Sequence, residues 1–174
     1  DFETKIMVKL RAPELLRREL SSPRWEPQSI TFSGVTDCYQ PAERQFRVTR
    51  ACLEVCAEFR NPIAIITKSA LVTRDRDVLG ELARLSCAAV FVSVTSLDSE
   101  LAGKLEPRAA RPQHRLRAIR ELASVGIPVG VMVAPIVPGL TDHEMPAILD
   151  AAAAAGATHA GYTIMRLPYA VKDV

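Results

Sequence analysis

Ile63-Ala64-Ile65-Ile66-Thr67 and Ala88-Ala89-Val90-Phe91-Val92, with Val78, Leu79, Leu82 and Leu85 at helical spacing between them, decide the fold. Runs this short and this apolar fit parallel strands covered by helices on both faces. The stripe between them fits an amphipathic crossover helix. Outward from this βαβ unit the same alternation recurs, with strands predicted over Ser29 to Phe32, Val129 to Ala134 and Thr158 to Ile164, while the third strand runs on to Val94. Val48, Cys52, Val55, Cys56 and Phe59 mark a second crossover helix, and Leu116, Ile119, Leu122 and Val125 a third. The pattern is α/β, with about five βα units and a mainly parallel sheet. Periodicity leaves open whether that sheet closes.

Helix punctuation agrees with these spans. Pro112 suits a first helical turn, Gly126 a C-terminal stop, and Thr141-Asp142-His143-Glu144 has the spacing of a capping box. The alanine run Ala151 to Ala155 reads as helix. Ahead of the first strand, Ala12 to Leu20 reads as a helix begun by Pro13, with no full βα unit before it. The chain starts without Met and ends on Tyr169-Ala170-Val171-Lys172-Asp173-Val174, so it reads as a piece of a longer protein whose first strand and C-terminal part lie outside residues 1–174.

Composition bounds the function. The chain has 174 residues, 48% hydrophobic and 24% charged, enough for one globular core. Its net charge of +2 comes from interspersed acids and bases, which gives no support to a nucleic-acid partner without ruling one out. No apolar run approaches the ~20 residues of a membrane span and Asp1-Phe2-Glu3-Thr4 is no signal peptide, so a soluble cytoplasmic protein is expected. Cys38, Cys52, Cys56 and Cys87 are then reduced thiols, not a disulfide framework.

In parallel α/β folds ligands bind beyond the carboxyl ends of the strands. Those ends are polar here. After the first strand, Ser33-Gly34-Val35-Thr36-Asp37 offers a glycine, free carbonyls and hydroxyls to a ligand ammonium; the same residues serve equally as a turn capped by Thr36 or Asp37. Lys68, directly after the second strand, wants an anionic partner such as a ligand carboxylate, unless it snorkels to solvent. Ser93 suits a ribose diol, or else a backbone bond of its own. Ala134-Pro135-Ile136-Val137-Pro138-Gly139 is rigid and apolar, fit for the flat face of a purine or simply a stiff loop. Arg108, Arg111, Arg115 and Arg117 read as a solvated face, with His114 and His143 also at the surface.

One metal signal is refused. Cys52-Leu53-Glu54-Val55-Cys56 begins a C-x-x-x-C-x-x-C cluster motif, but its third place is Phe59 and both thiols fall on the apolar stripe of a helix. Cys87 reads as core, and Cys38 alone sits in a pocket loop.

Taken in order, Thr36-Asp37, Thr67-Lys68, Phe91-Val92-Ser93, Glu106-Pro107 and Val133-Ala134-Pro135-Ile136 resemble the radical S-adenosylmethionine (SAM) enzymes, in particular spore photoproduct lyase and its bacterial relatives. The resemblance implies a partial (β/α)6 barrel of the TIM type that holds SAM against a [4Fe-4S] cluster and forms a 5′-deoxyadenosyl radical for hydrogen abstraction. It implies that Ser33, Gly34 and Thr36 meet the methionine amino group, Lys68 its carboxylate, Ser93 the ribose, and Ala134, Pro135 and Ile136 the adenine. An external electron donor and a lyase-like reaction related to DNA photoproduct repair belong to the same implication, but the hydrogen-donor cysteine of that repair lies outside the matched positions, so DNA repair itself is not carried over and the substrate stays open. The family's three-cysteine loop is expected upstream of Asp1, so residues 1–174 alone are expected to be inactive. A non-catalytic nucleotide-binding module, or another barrel enzyme acting on a small phosphorylated substrate, are the alternatives; the sequence ahead of Asp1 separates them.

Overall fold

The computed structural model describes residues 5–34 and 36–166. Five parallel strands form one sheet in the order of the chain: β1 (Ile30–Phe32), β2 (Ile63–Thr67), β3 (Ala88–Ser93), β4 (Val129–Ile136) and β5 (His159–Ile164). A strand order that never reverses, joined by right-handed crossovers, puts every helix on the same face of the sheet. That is barrel-type winding, and it differs from the doubly wound fold, whose order reverses at a switch point.

Burial records the consequence. Ile63, Ile65, Val90, Val92, Val131 and Val133 alternate along their strands and point at the helices, each at most 3% exposed. Each such side chain contributes roughly 1.5–3 kcal/mol relative to leaving it in water. The alternate positions face inward and are covered only in part: Ile66 is 36% exposed, and Ala64, Phe91 and Met132 are half-buried. The strands are therefore helix-covered on one face, and their second apolar face lines the inside of the winding. The inner face is apolar because large side chains lie across small neighbours. A Cβ on Gly130 would fall 2.5 Å from the Phe91 ring, and one on Gly161 would fall 2.7 Å from Met132 Sδ.

The helices follow from the sequence with corrections at their ends. α1 (Ala12–Leu20) starts on Pro13 and packs against α3 (Val48–Phe59). Between them in the chain, a short α2 (Glu43–Phe46) escapes sequence reading because it is a single turn. Its buried Glu43 accepts from the first-turn amides of α3, Thr49 N at 3.0 Å and Arg50 N at 3.3 Å, where a carboxylate is favoured. α4 (Arg76–Arg84) follows a 3-10 segment, Ala70–Asp75. α5 (Ser99–Leu105), also missed, is capped by the Asp98 carboxylate on Glu100 N and Leu101 N. α6 (Pro112–Ala123) begins on its proline, and Gly126 at φ 79° turns the chain back toward β4.

α7 (Met145–Ala154) has no capping box. The Thr141 hydroxyl instead accepts from Val137 N at 2.9 Å, and Glu144 reaches across to Ser96 Oγ and Leu97 N, both at 2.7 Å. Thr141 thus closes the loop after β4 on itself, and Glu144 braces that loop against the one after β3, in place of a local cap. Among the described residues, no helix is long and apolar enough to cross a membrane.

Candidate functional site

Asp37 organises the first two strand ends. Its carboxylate accepts from Thr67 Oγ1 at 2.8 and 2.9 Å, from Lys68 N at 2.8 Å and from Tyr39 N at 2.8 Å. It closes its own turn and pins the end of β2, and neither it nor Thr36 caps α2. The turn before it is strained: Ser33, a residue with a Cβ, sits at φ 90° beside Gly34 at φ 151°. Ser33 Oγ accepts from Cys38 N at 3.2 Å. Gly34 and Thr36 are exposed.

A second layer staples this loop to the segment after β2. Asp75 is fully buried and accepts from Tyr39 Oη at 3.1 Å, Arg74 Nη2 at 2.7 Å and Arg50 Nη1 at 3.2 Å. Arg74 also bonds the buried Glu43 carboxylate at 2.8 Å and its carbonyl at 2.9 Å. Burial, with Asp75 beside it, drives the Tyr39 hydroxyl well above the ordinary tyrosine range, so it remains a donor.

Lys68 has a partner that its position at a strand end does not announce. Its ammonium forms an ion pair with Glu106 Oε1. Oε1 is buried, and the Lys68 ammonium is the partner that compensates it. Glu106 Oε2 is fastened more tightly, by Arg115 Nη2 at 2.6 Å and Thr95 Oγ1 at 2.8 Å. Arg115 is 1% exposed, which overturns its reading as part of a solvated face. Its fork donates to Ser93 O at 3.0 Å and to Ala110 O at 2.6 Å, so the charge is fully used inside the protein. Burial opposes the charge on Glu106, yet Lys68 and Arg115 hold its carboxyl below the ordinary glutamate value.

Ser93 ends β3 beside Lys68, since Thr67 and Val92 are register partners. It is 4% exposed, and among the described residues no hydrogen bond engages its hydroxyl. Ala134 and Pro135, joined by a cis peptide bond, are half-buried at the end of β4. Ile136 is 7% exposed and packs into the core, so it offers a ligand its backbone alone. A cleft of 610 Å³ opens beside this line, on the side of β1 and β2, and of these candidates only Lys68 lines it, together with Asp37, Arg44, Arg108 and His114. Ser93 and Ala134 stand instead at the open inner face. The strand ends follow from the winding of the sheet, whereas the cleft lies to one side of it.

The thiols are not gathered into one site: among the four, Cys52 and Cys56 are neighbours one turn apart on α3. Cys52 and Cys56 are buried on the core side of α3, and Cys38 is half-buried in the loop after β1. Cys87 is half-buried rather than core, its Sγ against Arg60 O at 3.4 Å, because it precedes β3 at the rim. Among the described residues no group of three or more His, Cys, Asp or Glu side chains is placed to hold a metal. These residues do not fit an iron-sulfur cluster. Burial pushes Cys38 and Cys56 up to about 12 and Cys52 up to about 11. At pH 8 all three should therefore alkylate with iodoacetamide far more slowly than in the unfolded chain. Rapid modification of Cys52 or Cys56, read by peptide mass mapping, would contradict their placement.

The family model described as the Radical SAM superfamily matches residues 4–152. The chain belongs to the radical SAM superfamily. An uncharacterised protein of Mycobacterium tuberculosis is 35% identical over 169 residues, 96% of this chain and 49% of that protein. An uncharacterised protein of Methanocaldococcus jannaschii is 30% identical over 139 residues, 80% of this chain and 50% of that one. The chain thus spans about half the length of these relatives. Crystal structures of Streptococcus suis SuiB, solved with S-adenosylmethionine and with its precursor peptide SuiA, share the fold. The first superposes with a TM-score of 0.58 at 18% identity over 79% of this chain and 29% of SuiB, the second with 0.57 at 17%. The superfamily is built around SAM and a [4Fe-4S] cluster.

Proposed function

We propose that residues 1–174 form the greater part of a radical SAM core whose strand ends hold SAM. In this reading Lys68 takes the ligand carboxylate, and Ser33, Gly34 and Thr36 surround its ammonium. Ser93 takes the ribose, and Ala134, Pro135 and the Ile136 backbone lie along the adenine. The observation that carries it is the placement of a lysine ammonium and an unengaged serine hydroxyl on adjacent strand ends at the mouth of a half-covered inner face. With neighbouring strands about 4.8 Å apart, one extended ligand can meet both.

When bound beside a cluster, SAM supplies hydrogen-atom abstraction through reductive cleavage of its sulfonium. This chain's part is to orient the ligand. The cluster ligands then come from outside the described cysteines, and the electron from an external donor. A lyase-type outcome, like a kinship with photoproduct repair, is supported by the likeness of Thr36-Asp37, Thr67-Lys68 and Glu106-Pro107 to those enzymes. A cytoplasmic location is supported by the absence of any disulfide among the free thiols Cys38, Cys52, Cys56 and Cys87.

The test is chemical. The full-length gene product, purified anaerobically with its cluster and mixed with SAM and dithionite, should release 5′-deoxyadenosine and methionine. Intact SAM in the presence of a reduced, cluster-loaded protein would refute the proposal.

A further inference from the structure

Two of the residues assigned to the ligand, Lys68 on β2 and Ser93 on β3, are joined through a single carboxylate. Glu106 Oε2 is fixed by Arg115 and Thr95, and Arg115 in turn grips the Ser93 carbonyl. The other oxygen, Oε1, is buried and paired with the Lys68 ammonium. An ammonium carries three N–H donors. Among the described residues Glu106 Oε1 is the one partner of Lys68 Nζ, so the lysine is held in place while further donors stay available. The Lys68 side chain keeps 37% exposure, and the part that is open faces the cleft.

We propose that Glu106 is a positioning residue for the ligand carboxylate: it anchors the Lys68 ammonium at the strand end, in fixed relation to Ser93, and thereby sets the preference of the site for ligands that bear a carboxylate. The proposal rests on the reading of Lys68 given above. Without Glu106 the lysine stem has four rotatable bonds and a solvent-facing exit, and a ligand carboxylate would have to order it at its own cost. Arg115 is too deeply buried to touch a ligand. Glu106 acts on the ligand only through Lys68.

The test measures the affinity of the cluster-loaded full-length protein for SAM and for its decarboxylated analogue, which lacks only the carboxylate. Wild type should prefer SAM by about tenfold or more, and Lys68→Met should abolish that preference. Glu106→Gln should weaken SAM by roughly tenfold while changing the analogue by no more than about twofold, and adding it to Lys68→Met should cost nothing further. Because Glu106→Gln leaves Arg115 with a weaker partner, the same ratio is measured in Glu106→Gln/Arg115→Met, where no buried charge is stranded. If wild type and Lys68→Met treat the two ligands alike, the assignment of Lys68 fails. If Lys68→Met loses the preference but a folded Glu106 variant retains it, Glu106 does not position the lysine. Loss of fold in both Glu106 variants would also overturn the proposal, by making Glu106 a purely structural residue.

Discussion

Arg115→Ala is expected to destabilise the protein by about 3–5 kcal/mol, the range for stranding one half of a buried ion pair. The side chain is 1% exposed, and its loss removes bonds to Glu106 Oε2, Ser93 O and Ala110 O at once. Two carbonyls are left in the interior without their donor, and Glu106 keeps only Lys68 and Thr95. Arg115→Lys should recover a minor part of the loss, because a point ammonium cannot reach both carbonyls and the carboxylate in the geometry of the fork. Arg115→Met/Glu106→Gln should be less damaging than the sum of its single changes, since no charge remains to be compensated. Urea unfolding read by circular dichroism measures all of these. A loss below about 1 kcal/mol in Arg115→Ala would show that Arg115 is solvated, as its position in an arginine-rich stretch first suggests.

Arg115 also shows where sequence reading reaches its limit. Alternation of short apolar runs and helical stripes determines the βα units, and β2, β3, α1 and the start of α6 fall where the pattern puts them. Those elements are legible because each bears a period of its own. The burial of Arg115 is not, for its guanidinium needs Glu106 and two carbonyls that come together only when β3 and α6 pack. The partner of Lys68 is hidden for the same reason: Glu106 follows β3, and nothing near Thr67-Lys68 reveals it. Thr141 and Glu144 mislead more actively. Their spacing is that of a capping box, but Thr141 is taken by Val137 N within its own loop and Glu144 by Ser96 and Leu97 across to the loop after β3. The strand ends were legible as a polar ring, whereas Asp37 as their organiser was not, because its donors belong to β2. A signal was present: an aspartate two residues ahead of Tyr39 has the spacing of an Asx turn, and such a carboxylate retains capacity for further donors.

The SAM affinity of Lys68→Met in the cluster-loaded full-length protein tests the central claim most directly. Lys68 directly follows β2 with its ammonium paired to Glu106 on one side, so a ligand carboxylate can meet its remaining donors with charge-assisted hydrogen bonds. Loss of such a bond costs on the order of 1.5–3 kcal/mol, and each ~1.4 kcal/mol is a factor of ten in affinity. Methionine has nearly the length of lysine without its charge, which separates electrostatics from packing. Ser93→Ala sets the scale, since a neutral bond to a ribose hydroxyl is worth only about 1 kcal/mol. Calorimetry should show SAM binding weakened roughly ten- to hundredfold in Lys68→Met, with Ser93→Ala less affected. Lys68→Met should lose some stability because Glu106 Oε1 loses its partner, but it should stay folded because Arg115 and Thr95 still hold Glu106 Oε2. Wild-type affinity in a folded Lys68→Met protein would contradict the account and move the SAM site away from these strand ends.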